Sequence, residues 1–341
     1  MGSAAAIFGL LGPELSDAER AFFSEIKPWG FILFSRNVAT PEQLRRLTGD
    51  LRDCVGWDAP ILIDQEGGRV ARLRGPLWQD WGPVREIGEE LQDELAVMEA
   101  LRLRYQAIGL ELRDVGIDVN CVPLLDVPQR NSHPVIGDRA LGWTPHEVAV
   151  RGREAALGLM DGGVLPVIKH LPGHGRALHD SHEDLPTVTA TLDELRATDF
   201  PPFLALRDMA LGMTAHVVFD AIDPDQPATL SKPAITQIRQ HLGFDGLLMT
   251  DDLAMKALSG PMDRRTGRAL DAGCDVILHC NGDMVEMMVI ASALPDLEGR
   301  PKERADHAIA ARRDPIEADM ALIRDRYDAL MREATYARRS A

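Results

Sequence analysis

At 341 residues the chain is longer than most single domains but within the span of one α/β barrel. With 45% hydrophobic and 26% charged residues it has the composition of a globular protein, not of a disordered or fibrous one. Its formal charge of −16 argues against nucleic acid or an anionic membrane surface as partner and favours a small, locally recognised ligand.

The first run, MGSAAAIFGLLG, lacks a basic start and meets Gly12-Pro13 quickly, so it reads as a strand and not as a signal peptide. Further apolar runs follow in chain order: GFILFS from residue 30, APILID from 59, GIDVNCVPLLD from 116, GVLPVIKH from 163, GMTAHVVF from 212, GLLMTD from 246 and CDVILHCN from 274. Between them lie amphipathic segments whose starts are capped or led by proline, at Ser16-Asp17, Thr40-Pro41, Thr144-Pro145 and Ser231-Lys232-Pro233. Strands alternating with helices in this way form parallel β/α units. Eight of them in about 295 residues point to a (β/α)8 TIM-type barrel. An open doubly wound sheet is the second reading, but no GxGxxG follows the first strand.

From residue 295 the composition turns charged and helical. We read residues 295–341 as a C-terminal helical extension packed on the outside of the barrel, and residues 1–341 as a single domain. No stretch of about 18 consecutive apolar residues suggests a membrane span. Cys54, Cys121, Cys274 and Cys280 show no CxxC spacing and read as reduced, mostly buried thiols, so the expected compartment is the cytoplasm.

Six of the runs deliver a polar residue at the carboxyl end: Asp64, Asp126, Lys169-His170, His216, Asp251, and His279 with Asn281. That is the end at which barrel enzymes build their active sites. Asp251 is placed to act as a nucleophile, a metal ligand or a helix cap, while strand alternation turns its neighbour Asp252 the other way, toward a capping or supporting role. In Asp180-Ser181-His182 a carboxylate lies two residues from an imidazole. Bonded to one ring nitrogen, it would fix the tautomer and leave the other nitrogen free to exchange a proton. An anionic carboxylate and a proton donor are what a retaining glycoside hydrolase requires.

The segments IDQEGGRVARLR (63–74), VIGDRALG (135–142), KHLPGHG (169–175), DSH (180–182) and MTDDLAM (249–255) resemble, in order, those of the β-N-acetylhexosaminidase branch of glycoside hydrolase family 3. These are single-domain bacterial enzymes of peptidoglycan recycling. The resemblance covers the chain to about residue 295 and implies Asp251 as nucleophile and the Asp180–His182 dyad as acid/base in place of a second carboxylate. It further implies that Asp64, Arg72, Arg139, Lys169 and His170 hold the sugar hydroxyls and the 2-acetamido group. From their chemistry, Asp64 can accept two hydroxyl protons, while Arg139 and Lys169 donate and help keep Asp251 ionised. Leu171 stands where an aromatic residue is more usual after Lys-His. His174, between two glycines, fits a loop bond as well as a substrate contact, and His216 fits an active-site neighbour.

The activity so implied is removal of terminal, non-reducing β-linked N-acetylglucosamine with retention. The substrate would be a muropeptide, in particular N-acetylglucosamine linked to anhydro-N-acetylmuramic acid, or a chito-oligosaccharide-like carbohydrate, with no metal or organic cofactor. A metal-dependent hydrolase on the same barrel is a rival, with His170, His174, His182, His216, Asp64 and Asp251 as candidate ligands. Against it, HxH after the first strand and HExxH are both missing, and Lys169 and Arg139 would oppose a dication. A sugar-binding barrel without catalysis would be expected to lose the nucleophile or the dyad, and both are present. Within the enzyme class, the substrate acetamide could replace Asp251 as nucleophile, and phosphate could replace water as acceptor.

Overall fold

The computed structural model describes residues 3–129, 136–177, 179, 181 and 184–340, the last seven without their side chains. Among them eight strands close a parallel barrel: β1 (Ala4–Gly9), β2 (Pro28–Leu33), β3 (Ile61–Ile63), β4 (Val119–Asn120), β5 (Leu165–Leu171), β6 (Leu211–Thr214), β7 (Leu247–Asp252) and β8 (Val276–His279). Each pairs with its neighbours in sequence, and β1 with β8 closes the ring. Each of the eight apolar runs therefore supplies one barrel strand.

Strand alternation divides the core in two. Ile7, Ile32, Leu62, Val119, Val167, Met213, Met249 and Leu278 fill the barrel lumen, while Phe8, Phe31, Ile63, Ile168, Leu248 and Ile277 pack outward under the helices. The helices begin where their caps predict. Ser16 and Thr144 form capping boxes with Glu19 and Glu147, and Thr40 and Ser231 accept the amides of Gln43 and Ala234.

Two features depart from expectation. GMTAHVVF is not one strand: after β6 its hydrogen bonds turn to Pro186 and Ala228, and Val218–Phe219 joins a small sheet with Thr187–Val188 and Asp223–Pro227. The C-terminal segment is also not wholly external. Helix Met320–Ser340 packs by Ile323 and Leu330 on the outer core, and Tyr327 meets the Trp81 ring edge-on at 5.2 Å. Helix Gly299–Ala310, however, lies across the amino-terminal mouth, where Leu297, Ala305 and Ala308 join the lumen cluster and plug it.

Candidate active site

At the carboxyl end of the strands opens a cavity of about 380 Å³, lined by Asp64, Arg69, Arg72, Arg139, Lys169, His170, His174, Ser181, Asp251 and Asp252 with an apolar wall that includes Phe34, Val70, Ile136, Met213, Met255 and Cys280. A larger cavity, about 560 Å³, lies at the opposite end beside Trp29 and Trp57. Barrel chemistry belongs to the carboxyl end, and the converging acids and bases are there.

Alternation explains which strand ends reach the cavity. Asp64, Lys169 and Asp251 each stand two residues beyond a lumen-facing Leu62, Val167 and Met249, so they continue the inward row. His170 lines the cavity beside Lys169 because the β5 register shifts between Ile168 and Leu171. By the same parity His279 turns outward, where Nε2 meets Glu286 Oε2 at 2.8 Å, and Cys280 takes the inward position. Asp126 and His216 lie behind the cavity wall. Asp126 accepts from His170 Nδ1 at 2.8 Å and from the His174 amide at 2.6 Å, which orients both histidines. His216 is held between Thr229 Oγ1 at 2.7 Å and the Asp252 carbonyl at 2.9 Å.

The cations are held by two carboxylates. Lys169 Nζ lies 3.0 Å from Asp64 and 2.7 Å from Glu66, Arg72 lies 3.2 Å from Asp64, and Arg139 forks onto Glu66 through two bonds of 2.8 Å. Burial opposes the charge on Asp64, but Lys169 and Arg72 outweigh it and hold the carboxyl below its usual range. Burial likewise opposes charge on Glu66, and Arg139 and Lys169 outweigh it and hold that carboxyl well below its usual range. Despite burial, their carboxylate partners raise Lys169 and Arg139 above their ordinary values. Glu66 escaped the sequence reading, although its i, i+2 relation to Asp64 carried the signal. Among the described residues, the carboxylates that Arg139 and Lys169 meet directly are Glu66 for both and Asp64 for Lys169.

At the end of β7, Asp251 Oδ1 accepts the Asp252 amide at 2.8 Å. Asp252 also lines the cavity, but its Oδ1 accepts the amides of Ala254 and Cys280 at 3.0 and 3.1 Å, in keeping with a supporting role. Burial, with Asp251 adding to it, raises the Asp252 carboxyl above the usual range. Of the sequence-predicted residues, Asp64, Arg72, Arg139, Lys169, His170 and Asp251 converge on this one cavity; Asp180 and His182 lie outside the described residues. Among the described residues no group of three or more His, Cys, Asp or Glu is arranged to hold a metal ion.

The glycosyl hydrolase family 3 N-terminal domain matches residues 10–311, nine-tenths of the chain. The chain belongs to glycosyl hydrolase family 3. Within that family it is 35% identical over 306 residues to the β-hexosaminidase of Idiomarina loihiensis, covering 88% of this chain and 91% of the relative. With that of Methylococcus capsulatus it shares 39% over 298 residues, 86% of each. Among solved family 3 structures, NagZ from Neisseria gonorrhoeae in complex with N-trifluoroacetyl-D-glucosamine matches with a TM-score of 0.84 at 27% identity, over 98% of both chains. A β-N-acetylglucosaminidase from Paenibacillus sp. matches with a TM-score of 0.78 at 33% identity; the alignment covers 96% of this chain but spans 61% of that longer enzyme.

Proposed function

We propose that this glycoside hydrolase, a β-N-acetylhexosaminidase, removes terminal, non-reducing β-linked N-acetylglucosamine with retention, using Asp251 as nucleophile and His182, oriented by Asp180, as acid and base. The observation that supports this most is the convergence of Asp251 with Asp64, Arg72, Arg139, Lys169 and His170 on one cavity at the carboxyl end of the barrel. Asp64, itself held by Lys169 and Arg72, presents an anionic acceptor to sugar hydroxyls, and the cations and His170 supply polar contacts to the ring and its acetamide. In the first step Asp251 attacks the anomeric carbon while protonated His182 gives its proton to the departing oxygen. In the second, His182 takes a proton from water, which displaces Asp251.

A neighbour solved with an N-acetylglucosamine analogue supports the sugar. The family resemblance of the DSH and KHLPGHG segments supports a muropeptide carrying anhydro-N-acetylmuramic acid, peptidoglycan recycling and a cytoplasmic place of action. The acetamide-assisted alternative needs the second carboxylate to reach the amide, and Asp252 already has Oδ1 engaged by two backbone amides. The deciding experiment is trapping with a 5-fluoro N-acetylglucosaminyl fluoride followed by peptide mass spectrometry. A label on Asp251 is expected; an active enzyme that labels elsewhere or not at all removes the proposal.

A further inference from the structure

Asp252 is gripped at both of its backbone polar groups. Its amide donates to Asp251 Oδ1 at 2.8 Å, and its carbonyl accepts from His216 Nε2 at 2.9 Å and from the Met255 amide at 3.1 Å. We propose that His216 is a positioning residue for the nucleophile: by holding the Asp252 carbonyl, it fixes the backbone amide that orients the Asp251 carboxylate. The inference rests on Asp251 being the nucleophile.

The end of β7 needs such a tie. The ladder between β6 and β7 stops with Met213 opposite Met249, two residues short of Asp251, and on the other side the register against β8 shifts between Met249 and Asp252. A strand end with interrupted pairing is not fixed by its ladder alone. His216, two residues past the end of β6, resumes with its side chain the cross-strand link that the backbone drops. Its ring is wholly buried, as are Thr214 and Thr229 behind it, and a hydrogen bond withdrawn from water holds its partners more firmly than one at the surface.

The partners also determine the tautomer. A carbonyl oxygen can only accept, so His216 Nε2 carries the proton and donates. In the neutral ring Nδ1 is then an acceptor, and the Thr229 hydroxyl donates to it at 2.7 Å in preference to the Ala215 carbonyl at 3.0 Å. Thr214 Oγ1 donates in turn to Thr229 Oγ1 at 2.8 Å. Burial lowers the His216 pKa against the opposing pull of Asp251 and the Asp252 carbonyl, which keeps the ring neutral. Donors therefore point one way, from Thr214 through Thr229 and His216 to Asp252, whose own amide points at Asp251.

Because His216 lies behind the residues that line the cavity, it acts through Asp252 and not by touching the sugar. Its loss should slow the attack on the anomeric carbon and leave the hold on the sugar intact.

The test compares His216→Met, of similar bulk but without a donor, with His216→Gln, whose amide N–H can reach the Asp252 carbonyl. Thr229→Val and Thr229→Ser accompany them, and folding is checked by circular dichroism and thermal unfolding. The rate of labelling by 5-fluoro N-acetylglucosaminyl fluoride reports nucleophilic attack, and the inhibition constant of N-acetylglucosamine reports the hold on the sugar. If the wild-type label lies elsewhere than Asp251, the reading of the nucleophile fails first and this proposal falls with it. Given a label on Asp251, His216→Met should label roughly 10- to 100-fold more slowly, as expected for a reacting group displaced by about an ångström, with N-acetylglucosamine binding nearly unchanged. His216→Gln should recover most of the rate. Should His216→Met fail to fold, Thr229→Val decides: it should slow labelling several-fold, and Thr229→Ser, which keeps the hydroxyl, should not. Labelling at the wild-type rate in the deciding variant, His216→Gln no faster than a folded His216→Met, or an equal loss of N-acetylglucosamine affinity would each overturn the proposal while leaving Asp251 as nucleophile.

Discussion

Lys169 Nζ lies 2.7 Å from Glu66 Oε1, and both side chains are almost wholly withdrawn from solvent. The pair ties the end of β5 to the segment after β3, and Arg139 joins it from a loop 73 residues beyond Glu66. Breaking a buried ion pair from one side leaves a charge without compensation. Glu66→Gln should therefore cost about 3 kcal/mol of stability. It should also raise KM, because two cations would compete for Asp64. Urea unfolding and steady-state kinetics check this; an unchanged midpoint together with an unchanged KM would count against the network.

Asp251→Asn should lower kcat by about a thousandfold or more with little effect on KM. The same change removes the like charge that raises Asp252. An acid with a raised folded pKa is most favourable to stability below its unfolded pKa and loses that contribution as pH rises through the folded value. At neutral pH, Asp251→Asn should thus unfold at a higher temperature than wild type, and a lower melting temperature would contradict the pairing of the two acids.

The neutrality of His174 gives a stability profile. Its pKa falls from the usual 6.5 to about 4 on folding, so between these values the unfolded chain binds the extra proton. The stabilisation is complete above pH 6.5, declines as pH falls, and is lost below about 4, a span of roughly 3 kcal/mol. Buried His216 is lowered too and acts in the same direction. His174→Gln should flatten the slope between pH 4 and 6.5 in denaturant titrations relative to wild type; an identical slope would show that this ring does not titrate as inferred.

Gly175→Ala places a methyl group against the Val127 carbonyl. Relief requires the turn to shift, at about 2 kcal/mol, and moves His174 with it. Activity should fall further than stability alone explains at a temperature where the variant remains folded, as an assay well below the unfolding transition would reveal.

Prolonged chelation should leave kcat/KM unchanged, because Arg72, Lys169 and Arg139 crowd the carboxylates a dication would need. Activity lost to a chelator and restored by zinc would revive the metal-dependent reading.

The barrel was legible because every strand lies in an apolar run and six of those runs end near a polar residue, and the two-residue period sorts those ends. Asp64, Lys169 and Asp251 stand in step with Leu62, Val167 and Met249 and face inward; His279 is one residue out of step and does not. Glu66 was hidden because its importance comes from Arg139 and Lys169, brought to it only by closure of the ring. The splitting of GMTAHVVF was hidden too, since Val218 donates its amide to the Pro186 carbonyl and the Val217 carbonyl accepts from the Ala228 amide, distant partners that local pattern does not reveal. The floor helix shows a similar limit: a charged, amphipathic sequence says that it packs, but not on which end.

That floor has a consequence for biosynthesis. Leu297, Ala305 and Ala308 seal the lumen from below, yet they follow the eighth strand in the chain. A nascent polypeptide that has released all eight strands from the ribosome still presents an open, greasy base, and remains vulnerable to premature association until roughly another turn or two of synthesis beyond residue 305 has emerged.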